Sequence, residues 1–271
     1  MNAAAATHET SHSAHLEVTS WVQLLARATA PSAFSDFLTQ WEKVIFSAIL
    51  VALISFLAIF VSKGLKLIPD RRQTFAEILI GGLDEVVCGI ISAKGRKYTP
   101  FLGSLFIYIF VSNMFGLIPL QNSIMAFITT TAPIAVFVFL YVQWTGIKEN
   151  GILGYLYHLC GSPKDIVSWC LVVLMLPLHI LGEFIKPVSL SFRLYGNIMA
   201  GHVLLAVFMM LGVQMLAPLH IPAGVPLHFP FLFLEMLVGT IQAFVFTLLS
   251  TVYIAMMLPH EHEEHETVTL N

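Results

Sequence analysis

The chain has 271 residues, of which 57% are hydrophobic and only 11% are Asp, Glu, Lys or Arg. A soluble domain carries roughly a quarter charged residues, so this composition excludes an ordinary water-soluble fold. The formal net charge of −3 says less, because the placement of Lys and Arg matters more in a membrane protein. We therefore expect the lipid bilayer as a partner, and no nucleic acid.

Long apolar runs predict the segments that cross the membrane, since a transmembrane helix needs about 20 mostly apolar residues. The predicted fold class is an all-α integral membrane protein in which the last two helices are long and strongly inclined. We expect a polar periplasmic segment at 1–40, one transmembrane domain at 41–258, and an acidic, His-rich cytoplasmic tail at 259–271. The crossing helices are expected at about 41–64, 99–118, 124–146, 167–211 and 229–258.

Residues 72–92 predict an additional, amphipathic helix. Apolar side chains recur at helical spacing, while Glu77, Asp84 and Glu85 lie off that stripe. We expect this helix to lie on the cytoplasmic membrane surface or against a partner. The stripe consists of Phe75, Ile78, Leu79, Leu83, Val86, Val87 and Ile90.

The fourth apolar region, 167–211, is too long for one perpendicular crossing. At 1.5 Å per residue it spans on the order of 65 Å, twice the hydrocarbon thickness. Two crossings would need a turn at Pro187 and would place the C-terminal tail on the side that the loop charges disfavour. We therefore expect one very long inclined helix, or a helix with a break.

Basic residues occur in alternate loops. The loops at 120–123 and 212–228 contain no Lys or Arg, whereas the other two contain several. Because basic loops stay cytoplasmic, the pattern predicts a periplasmic N-terminus, a cytoplasmic C-terminus and five crossings. The basic residues are Arg71, Arg72, Lys94, Arg96 and Lys97 in one loop, and Lys148 and Lys164 in the other.

No metal site or cofactor is predicted. The three cysteines form no CxxC motif, and the histidines cluster in polar tails without a scaffold that could hold a coordination geometry. These residues are Cys88, Cys160 and Cys170, the N-terminal His8, His12 and His15, and the C-terminal His260, His262 and His265.

Ionisable side chains within the fourth region are the main functional candidates. At 100° per residue, Arg193 shares one helix face with four other polar residues, while His202 points away from it. An arginine at the bilayer centre costs roughly 2.5–3.5 kcal/mol on insertion scales, so it should face a partner charge or water. The four residues are His179, Glu183, Lys186 and Asn197.

The last helix carries a second polar line. Glu235, Gln242 and Tyr253 fall on one face, with Gly239 between them. Such a line indicates part of a proton path, although polar side chains also serve simply to hold membrane helices together. The second interpretation fits Thr240, Thr247, Ser250 and Thr251 better than it fits Glu235.

Three segments resemble subunit a of rotary F-type ATP synthases of the bacterial type. Lys186–His202, KPVSLSFRLYGNIMAGH, is similar to the signature of that family. Gly239–Tyr253 resembles its final helix, and Ser112–Pro119 resembles its second span. The resemblance covers nearly the whole chain in order.

The resemblance implies a non-catalytic, proton-conducting stator subunit in the cell inner membrane. It implies two aqueous half-channels and, as partners, the c-subunit ring, the b-subunit peripheral stalk and other ATP synthase subunits. The family's essential arginine corresponds to Arg193, and its amides to Asn197 and Gln242. Many bacterial members have an acid at His202 and a histidine at Glu235; here the two are exchanged, as in mitochondrial members. Supporting polar residues are His179, Glu183, Lys186, Ser189 and Tyr253.

Three other functions are compatible with a polytopic membrane protein. A secondary transporter commonly shows an internal repeat, and none is visible. An intramembrane serine protease would need a GxSx-type motif, which the sequence lacks. A purely structural subunit would not need Arg193. Copurification of a ring of small hairpin subunits with this chain is expected only of a proton-conducting stator subunit, and would distinguish it from these three functions.

Overall fold

The computed structural model describes residues 33–63, 70–117, 125, 127–160, 166–216 and 226–258. Within these ranges the chain is helical and contains no strand, which confirms the all-α prediction. The segment 1–32 and the tail 259–271 lie outside the described residues. The helices are α1 (Ala33–Ser62), α2 (Arg71–Ile91), a short 3₁₀ helix (Ala93–Lys97), α3 (Thr99–Gly116), α4 (Ile128–Leu159), α5 (Ile166–Leu216) and α6 (Phe229–Met257).

Four of the described helices are long and apolar enough to cross a membrane, which fits an integral membrane protein. The apolar part of α1, Val44–Phe60, is shorter than these, although about 17 residues can still span a bilayer. The fifth crossing therefore stays a prediction. The four segments are Thr99–Gly116, Ile128–Tyr157, Met175–Met215 and Phe229–Met257.

Helix α4 extends beyond the predicted end at 146. It continues to Leu159 across a break at Gly151, whose φ of 71° favours glycine because it has no Cβ. Asn150 caps the break by donating hydrogen bonds to the carbonyls of Gly146, at 3.1 Å, and Met257, at 2.6 Å. Hydropathy identified the apolar part of the helix, but it did not predict the continuation beyond 146, which begins with the polar residues Lys148, Glu149 and Asn150.

Helix α5 is one helix of 51 residues that continues through Pro177 and Pro187. Its length is about 77 Å at 1.5 Å per residue. The prediction of one very long helix is therefore confirmed, and a turn at Pro187 is absent. Its inclination to the membrane stays a prediction.

Helix α2 divides the predicted apolar stripe into two parts. Leu83 and Val87 are buried in the core shared with α3 and α6, whereas Phe75 and Ile78 are 72% and 70% exposed. Asp84 links α2 to the first residue of α3 by accepting a hydrogen bond from the Thr99 hydroxyl, at 2.6 Å. That hydrogen bond holds the pKa of the Asp84 carboxyl below its ordinary value. Membrane or partner contact of the exposed part stays a prediction.

The core is formed by side chains of α2, α3, α4, α5 and α6. Most of the fully buried side chains are apolar, as expected for helices that must exclude water from their contacts, but Ser112, Thr131, Ser250 and Thr251 are also buried to 1% exposure or less. In contrast, α5 leaves many large apolar side chains uncovered. In a membrane protein such a surface faces lipid or another subunit. The central buried residues include Leu102, Ile109, Val138, Leu190, Leu194 and Phe246.

Candidate functional site

Helices α5 and α6 run antiparallel, and their polar residues meet in register. As residue numbers fall along α5, their partners on α6 rise: His202 lies beside Glu235, and Asn197 bonds Gln242. The third contact is the ammonium of Lys186, which lies 5.2 Å from the centre of the Tyr253 ring. Two residues of the first predicted polar line, Lys186 and Asn197, therefore contact the second line on α6, as does His202 from outside the first line.

The acid–base contact is formed by His202 Nε2 and Glu235 Oε1, which lie 3.8 Å apart. The side chains are 27% and 13% exposed. Gly201 makes room for them, because a Cβ at that position would lie 2.8 Å from Glu235 Oε1. The sequence analysis missed Gly201, although a small residue opposite a buried side chain is common where membrane helices approach closely.

The contact between the Asn197 and Gln242 amides lies farther from the start of α6 than the contact between His202 and Glu235. Asn197 Nδ2 donates to Gln242 Oε1 at 2.7 Å, and Gln242 is only 3% exposed. Gln242 Nε2 and Glu235 Oε2 are buried and have no hydrogen-bond partner among the described residues. Buried polar atoms without protein partners are suited to hydrogen bonding with water.

Helix α3 contributes two further polar residues, Ser112 and Asn113. Asn113 Nδ2 donates to the Gly239 carbonyl at 2.9 Å, while Asn113 Oδ1 and Ser112 Oγ have no partner among the described residues. The sequence analysis used these residues only as a family marker, although a polar pair inside an apolar span was a signal. Asn113 also lines a cleft between the helices with about 310 Å³ of empty space, whose other polar lining residues are Asn197, His202, Glu235 and Gln242.

A second polar cluster surrounds Glu183. Lys186 forms an ion pair with this carboxylate, and Gln143 Nε2 donates to Glu183 Oε2 at 3.0 Å. Tyr155 OH in turn donates to Gln143 Oε1 at 2.7 Å. The sequence analysis missed Gln143 and Tyr155 because they lie on α4, on opposite sides of the break at Gly151.

Arg193 lies between the two clusters and is exposed. It forms no hydrogen bond or ion pair with any residue in the described parts of the chain. Its neighbour Leu194 is buried, so the 100° step between them separates a residue inside the bundle from one at its surface. Ser189 and His179 are also exposed, and His179 Nδ1 lies 3.0 Å from the Met175 carbonyl.

Among the residues that the structure describes, no group of three His, Cys, Asp or Glu could hold a metal ion. Both predicted histidine clusters fall in the segments outside these residues.

Long apolar helices with ionisable side chains among them, such as His202 beside Glu235 and Lys186 beside Glu183, define an integral membrane protein. The family model described as ATP synthase A chain matches residues 44–255. The chain belongs to the ATP synthase subunit a family, which makes it a membrane component of a multisubunit complex and associates it with ATP synthesis and ion transport.

Similar proteins cover most of the chain. ATP synthase subunit a of Protochlamydia amoebophila is 37% identical, over 92% of this chain and 92% of that protein. ATP synthase subunit a 3 of Pelobacter propionicus is 34% identical, over 89% of this chain and 97% of its own length. ATP synthase subunit a of Oleidesulfovibrio alaskensis is 35% identical, over 82% of this chain and 88% of its length.

Proposed function

We propose that this chain is the ion-translocating stator subunit of the synthase, with two proton half-channels and Arg193 facing a rotating ring of c subunits. The observation that carries the proposal is the position of Arg193. It is an exposed arginine without a hydrogen-bond or ion-pair partner among the described residues, on a long apolar helix. Because ionisable groups are expensive inside a membrane, its partner belongs on another subunit.

The physical role of Arg193 follows from electrostatics. A protonated carboxyl group on the ring is neutral and can pass lipid, whereas an ionised one cannot. An opposite charge within about 4–6 Å lowers a carboxyl pKa by about 1–3 units. Arg193 would therefore make each passing carboxyl release its proton, and its fixed charge would block a direct leak between the half-channels.

The cleft around His202 and Glu235 is proposed to be the inner end of the outer half-channel. Glu235 lies about 9 Å along α6 from its start at Phe229. Histidine exchanges protons near neutral pH, so this acid–base pair can pass a proton inward. Asn197, Gln242 and Asn113 provide hydrogen-bonding groups on the way towards Arg193.

The uncovered apolar side of α5 is the proposed docking surface for the c ring. Its side chains lie within about 100° of Arg193 on the side away from Asn197. Arg193 thus stands at the border between this surface and the polar contacts with α6. The surface includes Ile185, Phe192, Val203 and Val207, which are 54%, 60%, 50% and 54% exposed. The b-subunit stalk would contact other parts of the chain.

Cross-linking tests this placement. Val207→Cys, on the α5 surface, should cross-link to a cysteine in the outer helix of the small hairpin subunit that copurifies with the chain. Val51→Cys on α1 is a matched control, because it is similarly exposed at 48% and α1 contacts α2 and α3. A ring that never copurifies, or cross-links only through Val51→Cys, would contradict the proposal.

A further inference from the structure

Helix α5 carries only two Lys or Arg residues, Lys186 and Arg193. They are seven positions apart, which places them about 10 Å apart along the axis and within about 20° around it. Both cations thus point in nearly the same direction. If the ring passes Arg193, a free ammonium at Lys186 would be a second place at which an ionised ring carboxylate could be held.

The residues around Lys186 neutralise its positive charge, so that it would not hold a ring carboxylate. Its ammonium pairs with Glu183, and the two side chains are only 18% and 14% exposed. Glu183 is held in turn, because its other oxygen accepts from Gln143 at 3.0 Å, and Gln143 accepts from Tyr155 at 2.7 Å. The Tyr253 ring covers the ammonium from α6. Lys186 is therefore fixed and neutralised, whereas Arg193 is not.

The direction of the hydrogen bonds argues against a proton relay through Glu183. Lys186 and Gln143 donate to different oxygens of this carboxylate, so both oxygens already accept a hydrogen bond. The series of hydrogen bonds from Tyr155 to Glu183 also passes through the Gln143 amide, and an amide is a poor proton carrier. The cleft of about 250 Å³ beside the pair has otherwise mainly apolar walls, including Ala135, Val138, Val142 and Leu190.

We propose that Glu183, positioned by Gln143 and Tyr155, neutralises Lys186 so that Arg193 is the only unpaired cation that α5 presents to the ring carboxylates. This inference rests on the proposed function of Arg193. Glu183 is a positioning residue: it acts by cancelling a charge and carries no proton itself.

Charge-specific rescue is the test, measured as ATP-driven proton pumping in vesicles with equal amounts of assembled complex. Glu183→Gln should slow pumping roughly tenfold, which corresponds to about 1.4 kcal/mol on the barrier. Adding Lys186→Met should return the rate to within about threefold of the unmodified protein, because replacing a whole buried ion pair by neutral groups is often tolerated. Adding Lys186→Arg should leave pumping slow, since the charge remains. Glu85→Gln on α2 is the matched carboxylate control.

Two results would overturn the inference: normal pumping by Glu183→Gln, or a Glu183→Gln/Lys186→Met double variant that assembles but pumps as slowly as Glu183→Gln. If Glu183→Gln alone fails to assemble, the double variant still decides, because fast pumping supports neutralisation and slow pumping contradicts it. Arg193→Ala separates the two proposals. If it pumps normally, the proposed function fails. If it does not pump and the double variant is also slow, only the inference about Glu183 fails.

Discussion

His202 Nε2 and Glu235 Oε1 lie 3.8 Å apart across the interface of α5 and α6. This separation allows electrostatic attraction, but it is longer than a direct hydrogen bond, which is about 2.7–3.2 Å between heavy atoms. A small rotation of either side chain, or one bridging water, would connect the two groups. This geometry is compatible with the proton exchange proposed for the pair.

Exchanging the two residues tests this arrangement. His202→Glu combined with Glu235→His keeps one acid and one base at the same place, whereas each single change leaves two like groups. We expect the double variant to retain more ATP-driven quenching of a pH-sensitive dye than either single variant, when all assemble equally. Equal loss in the double variant and the worse single variant would exclude a relay that depends on this pair.

Gly201→Ala should disturb the same site without changing any charge. The new methyl group would lie 2.8 Å from Glu235 Oε1, so the carboxylate must move away from its present position beside His202. We expect proton pumping to fall about three- to tenfold, corresponding to about 0.7–1.4 kcal/mol on the barrier. The control is Gly89→Ala on α2, where an added Cβ meets nothing within 4 Å. Equal pumping by both variants would show that Glu235 need not occupy this position.

The predicted topology is testable by cysteine labelling with membrane-impermeant reagents. Cysteines replacing Gln121 or Ala223 should react from the periplasm, since their loops contain no Lys or Arg. Cysteines replacing Arg96, whose side chain is 81% exposed, or Asn271 should react from the cytoplasm. Reaction of the cysteine at position 223 only from the cytoplasmic side would contradict the orientation and the number of crossings.

The angular spacing of residues on a single helix was enough to predict which polar side chains of α5 lie on the same side as Arg193 and which lie opposite. Single-helix angles put His202 on the side of α5 opposite to Arg193, and the structure places it against α6. The same angles placed Lys186 and Asn197 near Arg193, but they could not show that α6 contacts the first two, whereas Arg193 has no hydrogen bond or ion pair among the described residues. That distinction depends on where the neighbouring helix lies.

The missed residues have a common physical origin, since their roles depend on contacts between helices. Gln143 contacts Glu183 from the part of α4 before Gly151, and Tyr155 bonds Gln143 from the part after the break at Gly151. Hydropathy placed the end of that helix near 146 and gave no reason to look beyond it. Asn113 is polar within an apolar span, but its contact with Gly239 on α6 depends on the packing of α3.

Replacement of Arg193 tests the central claim most directly, by measuring ATP-driven proton pumping in vesicles that contain the whole complex. The account predicts that Arg193→Ala assembles with the ring but does not pump, and that Arg193→Lys also fails substantially, because a guanidinium and an ammonium are not equivalent. Arg96→Ala, at an exposed arginine of the 3₁₀ helix, should pump normally. Coupled pumping by Arg193→Ala at the unmodified rate would contradict the account.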